Sequence, residues 1–168
     1  MQARSRVRAP TAARAVSSIG ARAREDRVIA RALRLLERRI LSQGACLGDV
    51  ATCSAFFRMR LGGEGREHLE VAFLDTRHRL LAVERLFSGS IDGAEVHPRI
   101  VVQRALALNA AAVLLAHNHP SGHAEPSEAD RVLTTRLKAA LGLVDIRLLD
   151  HFVVTAGEAT SMAARGLI

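Results

Sequence analysis

The residues with the most chemistry in this 168-residue chain lie in Leu115-Ala116-His117-Asn118-His119-Pro120-Ser121-Gly122, followed by Pro126-Ser127-Glu128-Ala129-Asp130. Side chains alternate across a strand, so His117 and His119 leave the C-terminal end of one on the same face, close enough to share an ion, while Asn118 faces the other way. Asp130 falls in the first turn of a helix that Ser127 caps, and a reversal through the Pro-Ser-Gly loop can bring that turn back over the strand end. Two imidazoles and one carboxylate make a three-ligand set. Such a set suits one Zn²⁺, with the fourth tetrahedral position left to water, as in catalytic rather than structural sites. The ion would lower the pKa of that water toward ~7 and polarise a substrate carbonyl.

Each part of the pattern also has a bland explanation. A His-x-His at a strand end is more often a satisfied polar pair than a metal site, and Ser-x-x-Asp is more often simple helix capping. The combination is much rarer: with this composition, His-x-His with Ser and Asp at these offsets arises by chance roughly once in 1,500. The joint reading therefore outweighs the separate ones.

The elements that must hold these residues are legible in outline. Residues 1–24 lack apolar periodicity and read as a basic, disordered arm. From Glu25 to Leu41, Val28, Ile29, Ala32, Leu33, Leu35, Leu36 and Ile40 recur at helical spacing opposite Arg27, Arg31, Arg34 and Arg38, which predicts an amphipathic helix. Asp49 caps a second short helix over residues 49–59, and the glycines of residues 61–65 end a helical extension that spans residues 25–65. A main domain then runs from Arg66 to Ile168. His68 to Asp75 and Leu80 to Phe87 form a hairpin, Pro98 starts a helix to about Asn109, and Ala111 to Ala116 reads as a strand buried on both faces. Glu128 to Leu141 is helical, Val144 to Leu149 and Phe152 to Thr155 are closing strands, and a last helical turn lies near Met162 to Arg165. Arg104 interrupts the apolar stripe of its helix and marks a surface edge. The order predicts a mixed α/β sheet covered by helices.

Composition narrows the function classes. The formal charge of +7 is unevenly placed: residues 1–40 hold eleven Arg against Glu25, Asp26 and Glu37, a net +8, and residues 41–168 are at −1. The basicity belongs to the N-terminal arm, where it suggests nucleic acid, and not to the main domain. With no Trp and no Tyr, platforms for stacking bases would have to come from Phe and His. No run approaches the roughly 18 to 20 apolar residues of a membrane span, and no secretory signal is evident, so the expectation is a soluble bacterial cytoplasmic protein without a membrane partner. Cys46 and Cys53 have six residues between them, which fits neither a CxxC pair nor a zinc knuckle.

The segment His117 to Asp130, written H-x-H-P-x6-S-x-x-D, resembles the JAMM motif of MPN-type metallopeptidases. The wider text resembles the bacterial RadC family: Leu86-Phe87-Ser88-Gly89, Val96-His97-Pro98-Arg99, Asn109-Ala110-Ala111-Ala112-Val113, His117 to Gly122 and Leu149-Asp150-His151 carry the likeness, which runs from Glu67 to Leu167. The chain looks most like the short RadC-like proteins of prophages and other mobile elements, since full-length members carry a longer helix-hairpin-helix region before this domain. The resemblance implies a JAMM/MPN-like, cytidine-deaminase-like mixed sheet, zinc ligands at His117, His119 and Asp130, and a hydrolase acting on a protein or peptide substrate. It also implies that Ser127 helps hold an oxyanion and that a Glu on a neighbouring strand serves as general base. Glu67 is the candidate, with Glu70, Glu84 and Glu95 open as alternatives. His151 and His97 read as structural or supporting residues, and His123 as solvated.

A zinc metallopeptidase or isopeptidase-like hydrolase is thus the leading expectation. The alternative is a DNA-repair or mobile-element accessory protein that contacts DNA through its Arg-rich arm, and a third reading is a non-catalytic MPN scaffold, which the retained ligand set disfavours. The letters His117-Asn118-His119 spell the name of a nuclease class, but those nucleases are named for residues spread across a ββα finger.

Overall fold

The computed structural model describes residues 22–29, 31–32, 35, 46–89 and 96–168. The chain divides into two units, Met1–Glu37 and Arg38–Ile168. In the first, residues 22–29 are helical and exposed, as are residues 31, 32 and 35. The described part of the segment expected to be helical from Glu25 is helical, and residues 22–24, expected in the disordered arm, are helical as well. The remaining positions of that expected helix, 30, 33, 34 and 36–41, and residues 1–21 of the arm lie outside the described residues. Among the described residues no helix is long and apolar enough to cross a membrane.

In the second unit the elements are α1 (Val50–Leu61), β1 (His68–Leu74), β2 (Leu80–Ser88), α2 (Pro98–Ala107), β3 (Ala112–Asn118), α3 (Glu128–Gly142), β4 (Arg147–Val154) and β5 (Ala159–Ser161). The strands form one mixed sheet in the order β2-β1-β3-β4-β5. Neighbours are antiparallel except β3 and β4, which run parallel and are joined through α3. A parallel pair needs such a crossover, since a tight turn cannot return the chain to the same end of the sheet. At the β1–β2 hairpin, Asp75 Oδ1 accepts the N–H groups of Arg77 and Arg79, and His78 takes the left-handed conformation that closes the turn.

Strand alternation sorts the core into two layers. Leu69, Val71 and Phe73 of β1 and Val113 and Leu115 of β3 pack with Val101 and Ala105 of α2 and Leu133, Leu137 and Leu141 of α3. The intervening residues Ala72, Leu74, Ala112, Leu114 and Ala116 pack with Phe56, Phe57 and Leu61 of α1, against Phe152 and Val154 of β4. The helix that the sequence places in the extension thus packs against this sheet. Phe57 is fully buried, with its ring 5.5 Å from that of Phe152, and truncating such a side chain to Ala typically costs about 3 to 5 kcal/mol. Asp49 caps α1 as expected, accepting the N–H of Thr52 at 2.8 Å.

Several elements differ from the sequence reading. The two closing strands are replaced by one continuous β4, followed by β5. Asp150 and His151 look like a polar break, yet both are buried inside the strand with their polar atoms satisfied. Asp150 accepts from Ser161 Oγ at 2.5 Å and from the N–H groups of Ala163 and His151. β3 runs on through His117 and Asn118, and α2 ends at Ala107, before Asn109 in the left-handed region. Met162 to Arg165 form hydrogen-bonded turns instead of a helical turn. Arg104 is no bare surface edge, since its guanidinium pairs with Glu84 and ties α2 to β2.

Candidate metal centre

β3 delivers His117 from the face that packs on α2 and α3, and the ring is fully buried. His119 stands just past the strand, with its backbone N–H on Val154 O at 2.8 Å. Its Nδ1 is 2.7 Å from the carbonyl of His123. A carbonyl only accepts, so Nδ1 carries the proton and Nε2 is left with its lone pair. The imidazole of His123 is exposed, as expected, but its backbone carbonyl fixes the His119 ring.

Asp130 is brought over these rings by the start of α3. Ser127 and Asp130 form a reciprocal capping box: the Asp130 N–H donates to Ser127 Oγ, and the Ser127 N–H donates to Asp130 Oδ2 at 2.8 Å. The Ser127 hydroxyl also donates to Oδ2, at 2.6 Å. The other oxygen, Oδ1, is 3.1 Å from His117 Nε2, Oδ2 is 3.6 Å from His119 Nε2, and the two Nε2 atoms are 2.9 Å apart. All three ligand atoms lie within 4.8 Å of one another. The three residues can hold a metal ion. Two imidazole nitrogens and one carboxylate oxygen turned to a common point are a donor set that accommodates a borderline divalent cation.

The electrostatics of Asp130 agree with that use. Burial pushes the Asp130 carboxyl up, but the adjoining His117 and His119 rings and the Ser127 hydroxyl outweigh it and hold the group well below the usual carboxylate range. The His119 pKa is raised, first by the adjacent Asp130 carboxylate and, to a smaller extent, by the His123 carbonyl and the charge of Glu67. Full burial pushes His151 well below the ordinary imidazole range, so that ring is neutral.

Glu67 sits half-buried just ahead of β1, and its carbonyl accepts the N–H of Gly89 at 2.9 Å. Its charge is felt at His119. Glu70 points into the opposite layer and is committed to Arg60, at 2.5 Å, and to Arg85. Glu84 is held by Arg104, whose bond lowers its pKa, and Glu95 lies outside the described residues. His97 is the exposed N-cap residue of α2. A cleft of about 300 Å³ opens beside His119, bordered by Gly62, Gly63, Asn118, Gly122 and Thr155. Another cavity, of about 260 Å³, lies by Asp49, Cys53 and Phe152.

Sequence reasoning set His151 aside as structural or supporting, and the structure shows what it supports. Its Nε2 is 2.8 Å from His117 Nδ1, and its Nδ1 is 2.6 Å from Thr134 Oγ1. β4 has a register shift between the partners of Val113 and Leu114, with Val113 opposite Leu148 and Leu114 opposite Asp150. The extra residue resets the alternation and puts His151 on the same face as Leu115 and His117. A polar pair between Leu148-Leu149 and Phe152-Val153-Val154 was the available signal.

Comparison with known proteins settles the family. The family model described as RadC-like JAB domain matches residues 47–167. The chain belongs to the RadC family. Its mixed sheet and helices are the JAMM/MPN-type fold of that domain, and the RadC match takes in α1 as well as the sheet. Over 140 residues the chain is 54% identical to a UPF0758 protein of Xanthomonas campestris pv. campestris, covering 82% of this chain and 62% of that protein. It is 52% identical over 141 residues to a UPF0758 protein of Xanthomonas oryzae pv. oryzae, at 82% and 63% coverage. A UPF0758 protein of Xylella fastidiosa is 54% identical over 126 residues, at 75% and 56%. The matched part thus spans about three fifths of the length of these RadC relatives, all of them bacterial.

Proposed function

We propose that this chain is a zinc-dependent hydrolase of the JAMM type, acting on a peptide or isopeptide carbonyl. The observation that carries the reading is the convergence of His117 Nε2, His119 Nε2 and a buried, ionised Asp130 at the end of β3. Bound there, zinc supplies Lewis-acid polarisation of a carbonyl and a water acidified toward ~7.

The protein's own groups supply the rest. Glu67, whose charge already reaches His119, takes the proton from the attacking water and passes it to the leaving amine. Ser127 offers its hydroxyl to the developing oxyanion. That hydroxyl now serves Asp130, but the Ser127 backbone N–H holds the same carboxylate oxygen, so the hydroxyl can turn away without freeing the ligand.

A screen of peptide and isopeptide substrates with the zinc-loaded chain tests the reading. Cleavage that disappears in Glu67→Ala is the expected result, and cleavage that persists there removes Glu67 from its role. The free thiols Cys46 and Cys53 suit a reducing bacterial cytoplasm. A second reading, contact with DNA, draws on the net +8 of residues 1–40 and on Arg22, Arg24, Arg27 and Arg31 in the exposed helical segment. Deleting residues 1–40 abolishes salt-dependent DNA affinity if that reading holds, and leaves it unchanged if it does not.

A further inference from the structure

The polar groups behind the ligands form a chain whose proton directions follow from one fixed point. Thr134 Oγ1 is 2.5 Å from the backbone carbonyl of Asp130, and a carbonyl cannot donate. The single Thr134 proton therefore points at Asp130, and the Thr134 oxygen must accept from His151 Nδ1, 2.6 Å away. A neutral His151 then presents a lone pair at Nε2, which accepts from His117 Nδ1 at 2.8 Å. His117 is left with its Nε2 lone pair turned toward Asp130 and His119. The circuit runs from the backbone of one ligand to the ring of another. His117, Thr134 and His151 are all buried, so water does not substitute for any link.

We propose that Thr134 and His151 are positioning residues, which lock the His117 ring in the tautomer and rotation that aims Nε2 at the metal. The inference rests on the metal-centre reading above. The hydrogen bond made by one imidazole nitrogen sets which nitrogen is free to bind, and such outer partners typically carry about 10- to 100-fold of metal affinity. Here the outer partner is an imidazole and not a carboxylate. It therefore fixes the ligand without adding a second negative charge beside Asp130. Because Thr134 and Asp130 share the first turns of α3, the same circuit ties the placement of His117 on β3 to that of Asp130.

Zinc affinity, read by competition with a chromophoric chelator, separates this role from packing in three variants of the full chain. His151→Phe keeps the bulk and loses the acceptor, so affinity falls about 10- to 100-fold. His151→Gln loses bulk but can accept from His117 and donate to Thr134, so affinity stays within a few-fold of wild type. Thr134→Val, nearly isosteric, weakens binding several-fold. Packing alone predicts the reverse order for the two His151 variants, and that order overturns the proposal. Long-range ¹H–¹⁵N spectra of the wild-type chain give a second readout that needs no variant. Protonated Nδ1 on both His117 and His151 is expected, and an Nε2-protonated His151 overturns the relay. A wild-type chain that binds no zinc sinks the metal reading itself, whereas wild-type binding matched by His151→Phe sinks only the relay.

Discussion

Asn118 and His68 are joined by a 2.9 Å hydrogen bond in which the Asn118 side-chain oxygen accepts the His68 backbone N–H. The Asn118 amide donates in turn to the carbonyl of Arg66, at 2.8 Å, and to that of Glu64. Glu67 is the residue between the two anchors. The side chain lodged between the two histidine ligands, facing away from them, therefore holds the strand start that carries the proposed base.

Asn118→Ala should loosen Glu67 while leaving the ligands in place. The expected outcome is a smaller Glu67 contribution to the raised His119 pKa, read by NMR titration of the metal-free chain, with zinc affinity within a few-fold of wild type. Against a cleavable substrate, kcat should fall about tenfold or more, as misplaced catalytic groups commonly cause. Zinc affinity falling in parallel would show that Asn118 supports the ligands instead.

Glu67 and Glu70 should separate in stability measurements. Glu70 is fully buried between Arg60 and Arg85, so Glu70→Ala removes the buried carboxylate that both guanidiniums share and should cost about 3 kcal/mol in denaturant unfolding. Glu67→Gln at its half-buried position should change stability by less than about 1 kcal/mol. Equal losses would contradict the division of roles between the two carboxylates.

Zinc and protons compete for His119. The adjacent Asp130 carboxylate raises the His119 pKa, which favours the protonated ring that a metal must displace. Zinc affinity should therefore keep climbing with pH above about 6.5, where an unperturbed imidazole would level off. His151 stays neutral across this window and takes no part in the competition. Affinity constant between pH 6 and 8 would contradict the shift.

The two thiols should react at very different rates. Cys53 is 3% exposed, and burial pushes its pKa up to about 12, whereas Cys46 is exposed. A disulfide reagent at pH 8 should label one thiol per native chain, and a second only after unfolding. Two rapid equivalents in the native protein would place Cys53 outside the core.

The convergence of His117, His119 and Asp130 was readable because its parts are local: His117 and His119 share the end of one strand, and Ser127 and Asp130 share the first turn of one helix. The surrounding groups were not, because they arrive through pairing between distant elements. Glu67 and Glu70 look alike along the chain. Only the layer that each faces, and the arginines from α1 and β2, tell them apart. Asp150-His151 read as a strand break because burial of two polar residues depends on Ser161, Thr134 and His117, all far away in sequence. The bulge that turns His151 to the metal face has no marker in the local pattern.

Zinc stoichiometry by elemental analysis, on the wild-type chain and on Asp130→Ala after gel filtration, tests the account at its centre. One zinc per wild-type chain, lost from the variant, is the predicted result. A wild-type chain without zinc, or a variant that keeps a full equivalent, would contradict the assignment of His117, His119 and Asp130 as a metal centre.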